Sequence, residues 1–303
     1  MEAGGIFAVC LAVTIAMQLF CFLIAYSMRF DKITDLAGSS NFIVLAVVSL
    51  YLAPQPPTTR AIVATLLVCL ARFELAAFLL WRVLIRGKDN RFDAIRDNCM
   101  YFLLFWVWQI IWVYAVCVTV IFINAESYRV RGVPLGGADY IGWALFLLGF
   151  VLQVWADVAK YRFRANPANR HHVCKVGPWA WSRHPNFAGE IGMWWGLFIA
   201  ALPVCAASPA GYATAASPLF TMLVLLKGTG IPQAEGVNAA RWYDGGDSQR
   251  EYEDYFHSTP PLWPFPPALY KSFSGSAKLY LCFEFPGYAY EGSSRERERV
   301  SPV

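Results

Sequence analysis

The residues of this chain best suited to chemistry lie in GPWAWSRHPNFAGEIGMWWG, residues 177–196, where Arg183 and His184 lead through Pro185 and Asn186 into an apolar helix carrying Glu190. His184-Pro185 does not propagate a helix comfortably, which makes Asn186 the expected N-cap. Glu190 then falls one turn in, on the face of Asn186. A helix N-terminus favours negative charge, and Arg183 is close enough in sequence to help keep Glu190 ionised. Glu190 either belongs to a ligand site or pairs with Arg183 or Lys160, and spacing leaves both open. Gln153, Asp157, Lys160 and Arg164 recur at i, i+4, i+7 and i+11, which places them on one helical face. Exposing ionisable groups to lipid costs about 2.5–3.5 kcal/mol each, so this face reads as the wall of a polar cavity. The other reading, basic side chains reaching for headgroups, accounts for Lys160 and Arg164 but poorly for Gln153 and Asp157. Arg72 and Glu74, in LVCLARFELAAFLLWRV, are two apart and do not share a face. Gln109, in FWVWQIIWVYAV, serves either a helix–helix hydrogen bond or a substrate contact.

Only an all-α membrane bundle positions such groups. Of 303 residues 57% are hydrophobic and 15% charged, against about 25% charged in soluble domains. Apolar runs at Gly5–Tyr26, Phe42–Ala53, Ala61–Ile85, Tyr101–Asn124, Tyr140–Ala159, Phe187–Ala206 and Ala210–Leu226 give six or seven spans, the second short and the last interrupted by proline. With seven, loops one, three and five carry twelve Lys and Arg and the other loops three. That bias predicts a lumenal N-terminus and a cytosolic C-terminus. It also accounts for the net charge of +4, so no nucleic-acid partner is expected. Gly189, Gly192, Gly196 and Ala200 form a small-residue stripe that invites close helix approach. Many of the tryptophans are expected in interfacial belts. KGTGIPQAEG has Gln233 where a dinucleotide loop needs its third glycine and no strand before it, which excludes a Rossmann domain. The eight cysteines show no C-x-x-C pair, so neither disulfides nor a metal site are expected. The expected division is 1–60 for the first helices, 61–268 for the main membrane domain and 269–303 for a partly disordered cytosolic tail ending in SSRERERVSPV.

GKDNRFDAIRDN, FWVWQIIWV, DVAKYRFRANPANRHHVCKVGPWAWSRHPNFAGE and the GTGIP…Y-x-x-Y…TP run through Tyr252, Tyr255 and Thr259 resemble the steroid 5-alpha-reductase-type membrane proteins over roughly 60–268. The likeness is strongest to their uncharacterised multi-span branch. It implies a bundle that binds NADPH from the cytosolic side and reduces a conjugated carbon–carbon double bond in a lipophilic, steroid- or isoprenoid-like substrate, with the endoplasmic reticulum as its membrane. Carried over by position, Gln153, Asp157, Asn186 and Glu190 surround the nicotinamide and its ribose. Arg164, His171, Arg183 and Tyr252 lie near phosphates and adenosine, and Lys160, His184 and Tyr255 complete the cofactor set. The six basic residues from Lys160 to Arg183 suit a pyrophosphate and a 2′-phosphate. Glu74 or a polarised water donates the proton, with Arg72 beside it as the second catalytic candidate. The isoprenylcysteine methyltransferases share a related turn before an RHP motif, so S-adenosylmethionine-dependent methylation is the alternative, and a non-catalytic lipid-binding protein a third reading.

Overall fold

The computed structural model describes residues 1–29, 33–86, 95–243 and 247–290. Lys32, Lys88 and Arg91 of the basic loops, and the final SSRERERVSPV, lie outside these. Seven helices are long and apolar enough to cross a membrane, which makes this a multi-pass membrane protein. In chain order they are α1 (Ala3–Ser27), α2 (Ile33–Leu52), α3 (Thr59–Arg86), α4 (Cys99–Glu126), α5 (Gly137–Ala165), α6 (Pro185–Ala207) and a seventh span over Pro209–Ala234, which joins a 3₁₀ turn (Pro209–Ala215) to α7 (Ala216–Lys227) and the short helix after it. Shorter helices follow: α8 (Ile231–Ala234), α9 (Ala240–Tyr243), α10 (Asp247–Ser258), α11 (Pro267–Ser272) and α12 (Gly275–Cys282). Among the described residues there is no strand.

Several sequence expectations are corrected. α2 is a full span: it begins nine residues before Phe42 because its polar start is buried, with Thr34, Ser39 and Asn41 inside the bundle. The extension brings Asp35 into the helix, within 4.0 Å of Arg82. α6 begins at Pro185, so Asn186 sits inside the first turn and is not the cap. Proline is suited to that first position, having no N–H to leave unpaired. Within 269–290 the chain is folded: α11 and α12 lie at its start and middle, and Tyr270, Cys282 and Tyr288 are buried. Trp106, Trp179, Trp194 and Trp242 are buried too, so only part of the tryptophan complement is interfacial.

The chain divides into two compact units whose boundaries fall inside α5, α6 and α7. The first contains residues 1–146 and 194–220. Several of its polar side chains are tied between helices, as an apolar medium favours. Asn124 Nδ2 donates to Ala46 O (3.0 Å), Ser49 Oγ (2.9 Å) and Thr65 Oγ1 (3.1 Å). Gln109 Nε2 donates to Thr34 O at 3.0 Å, which makes it a helix–helix tie. Arg60, at the start of α3, forks onto Asp139 at the start of α5 (2.8 and 2.9 Å). In this unit α5 and α6 touch backbone to backbone, since a Cβ on Gly142 would lie 2.5 Å from Gly196 O and Ala200 N.

The second unit contains residues 147–193 and 221–303. The same helix pair is in contact here, where a Cβ on Gly189 would stand 2.4 Å from Gly149 O. The stripe of Gly189, Gly196 and Ala200 thus meets glycines of α5.

Candidate functional site

Within the second unit, α5 presents its polar face to the start of α6 and to the segments behind it. Gln153 packs against Gly189, whose missing Cβ would lie 3.1 Å from that of Gln153. One turn on, Asp157 Oδ1 accepts from Asn186 Nδ2 at 3.2 Å. After another turn Lys160 Nζ lies 3.9 Å over the ring of Trp179, whose Nε1 donates back to Ala156 O at 2.7 Å. Arg164, the fourth of the series, has its guanidinium 5.3 Å from the Trp242 ring. The periodicity therefore builds one continuous polar surface along α5.

Two features of that surface point to a missing partner. Gln153 Oε1 and Asn186 Oδ1 are buried acceptors without a hydrogen bond. Each such atom calls for an explanation, and here two of them share one polar surface where a donor could be supplied. The second is a cluster of like charge. Arg241 lies 5.1 Å from the Trp242 ring that Arg164 also approaches. Among the described residues Lys160, Arg164 and Arg241 form no ion pair within 4.0 Å. Grouped cations repel one another, and a bound anion lowers that cost. Glu190 sits half-buried one turn beyond Asn186.

Arg183 and His184 do something different. Arg183 makes six hydrogen bonds: Nε and Nη2 to Glu235 (2.8 and 3.0 Å), Nη1 and Nη2 to Glu284 (2.9 and 2.7 Å), and Nη1 to the carbonyls of Phe256 and Thr259. Its guanidinium also stacks 4.0 Å over Phe256. Every donor of the fork is committed to protein, so Arg183 is an anchor in place of the expected phosphate ligand. Its charge is spent on Glu235 and Glu284, not on Glu190. His184 Nε2 meets Glu235 Oε1 at 2.7 Å and its ring stacks on Phe187. Burial holds His184 below its ordinary pKa, against the pull of Glu235. Burial pushes the Glu235 carboxyl up, but Arg183 and His184 together hold it below the usual range. Tyr270 donates its hydroxyl to Glu284, so the segment after 268 completes the network.

Tyr255 and Tyr252 are framework as well. Tyr255 donates to Trp179 O (2.6 Å) and Ser182 O (3.1 Å), which fastens α10 to the turn before α6. Tyr252 stacks on Trp242 with planes 11° apart. The His171 side chain is exposed, and it is the neighbouring His172 that contacts Glu251, at 3.0 Å. Arg72 and Glu74 belong to the other unit. There Arg72 is buried, its guanidinium between Phe42 (4.8 Å) and Trp194 (5.0 Å).

Sequence reasoning missed Arg241, Trp242, Glu235 and Glu284. Only the run KGTGIPQAEG, which ends one residue after Glu235, drew notice beforehand, and for an unrelated chemistry. No curated protein and no solved structure matches the chain. One family does: its model covers residues 21–259, well over half the sequence, so the chain belongs to the DUF1295 family, described as proteins of unknown function.

Proposed function

We propose that this protein is an NADPH-dependent reductase of an activated carbon–carbon double bond in a lipophilic substrate, on the endoplasmic-reticulum membrane and with its cofactor side cytosolic. The observation that carries the reading is the pair of buried, unpaired acceptors, Gln153 Oε1 and Asn186 Oδ1, on the same surface as the grouped cations Lys160, Arg164 and Arg241. A nicotinamide carboxamide brings an NH₂ donor for such acceptors and a carbonyl for the Asn186 amide. Phosphates bring anionic oxygens to the cations Lys160, Arg164 and Arg241. When bound, NADPH supplies the hydride. The chain's own residues hold and orient: Asn186 and Gln153 fix the ring, Asp157 fixes Asn186, and Glu190 faces the ribose side. Reduction of the double bond also takes up a proton at the carbonyl side of the substrate, from water or a substrate-side acid. The resemblance to steroid 5-alpha-reductase-type proteins supports the same chemistry, and no particular substrate follows from it.

The test is cofactor binding by detergent-purified protein, with NADPH, NADH and S-adenosylmethionine in parallel. NADPH at about 100 Kd should stabilise by roughly 2.7 kcal/mol. Asn186→Ala and Arg241→Ala should each weaken it about tenfold or more, and Arg241→Ala should narrow the gap to NADH. Stabilisation by S-adenosylmethionine alone sinks the reductase and promotes methyl transfer.

A further inference from the structure

α5 has a second functional face. Its polar residues occupy positions 153, 157, 160 and 164, whereas Leu148, Val151 and Trp155 on the opposite stripe are 69%, 58% and 57% exposed. That stripe continues into Val158, Ala159, Arg162 and Phe163, which with Val176 and Gly177 line a groove of about 410 Å³. The wall at Gly177 depends on its left-handed backbone (φ +57°), which brings the turn against the indole; a Cβ there would lie 3.2 Å from Trp155 Nε1. The groove lies on a span, so the medium beside it is acyl chain, and its lining is almost wholly apolar. The exception is Arg162, exposed in the last turn of α5 and in no ion pair among the described residues. An apolar trough that ends in one unspent cation complements an amphiphile with one anionic head.

We propose that this groove binds one anionic glycerophospholipid, its phosphate on Arg162 and an acyl chain along Trp155, Val158 and Phe163. The headgroup-seeking role that position alone assigns to Lys160 and Arg164 then belongs to Arg162, because those two turn inward onto Trp179 and Trp242. A guanidinium makes paired hydrogen bonds to phosphate oxygens, and the indole at the deeper end suits the interfacial zone. The proposal is independent of the cofactor reading.

The experiment compares short-chain phosphatidylglycerol and phosphatidylcholine for binding to the purified full chain, read by native mass spectrometry and thermal shift. Glycerol 3-phosphate and inorganic phosphate are the soluble controls. Wild type should prefer phosphatidylglycerol by about fivefold or more, the effect of one basic residue at an anionic surface. Arg162→Gln, a change at an exposed position, should erase that preference. Val158→Trp, which fills the trough, should lose both lipids. Equal binding of the two lipids by wild type, or a preference that survives Arg162→Gln, overturns the proposal. So does lipid retention by Val158→Trp, and so does an equal shift with glycerol 3-phosphate, which marks a soluble-phosphate site.

Discussion

Replacing Arg183 by methionine separates an anchor from a cofactor ligand. The side chain is 1% exposed and faces Glu235 and Glu284, 6% and 18% exposed. Methionine keeps much of the volume against Phe256 but leaves two carboxylates buried, one with only His184 and the other with only Tyr270. It also strips the donor from the Phe256 and Thr259 carbonyls. Removing one partner of a buried ion pair costs about 3–5 kcal/mol, and an unsatisfied buried carbonyl about 1–3 kcal/mol. These overlap, so we expect about 4 kcal/mol or somewhat more, from a total stability of about 5–15 kcal/mol. The melting temperature should drop by roughly 10 °C. Arg183→Lys should fall between, since it keeps a charge but not the fork. The assay is thermal unfolding in detergent followed by tryptophan fluorescence, with gel filtration for monodispersity and NADPH titration on whatever remains folded. A monodisperse Arg183→Met protein with an unshifted melting point and lost NADPH affinity would refute the reasoning, because the guanidinium would then be spent on ligand.

Acid should destabilise the protein through His184. Its folded pKa lies below the ordinary 6.5, so the unfolded chain takes up the proton first. The stability is complete above about pH 6.5 and is lost as pH falls toward the folded value, by up to about 1.4 kcal/mol per pH unit. Melting curves from pH 5 to 8 should show this limb, His184→Phe should flatten it, and a wild-type melting point that rises on acidification contradicts the sign. Gly189→Ala should cost about 1–3 kcal/mol by overpacking, because its Cβ would meet the Gly149 carbonyl at 2.4 Å. Gly4→Ala, with nothing within 4 Å of its Cβ, is the neutral control, and equal melting points for the two variants would show that the helices separate freely.

What the sequence revealed was whatever repeats at short range. Seven apolar runs marked seven spans, the 153–164 spacing marked one helical face, and Gly189, Gly196 and Ala200 marked a close crossing. Polar helix starts hid the true beginning of α2, because Thr34, Asp35 and Asn41 break an apolar run that burial in fact tolerates. Arg183 resembled a ligand for the same reason that it is an anchor: a cation beside a helix start suits a phosphate and a carboxylate alike. Its partners lie 52 and 101 residues away, in stretches with no period of their own. Arg241 and Trp242 sit in a four-residue helix, too short for any pattern to show.

The distance from Arg183 to Glu284 has a consequence for biosynthesis. The guanidinium enters with the start of α6, yet one of its two acids is made 101 residues later, beyond the segment shared with the family. Until then Arg183 has Glu235 alone, and Tyr270 has no carboxylate to hold. The second unit therefore cannot close while the chain is being made from its N-terminus. A copy truncated at residue 259 would keep all seven spans and Glu235, but would lack Glu284 and Tyr270, so its second unit would stay locally open.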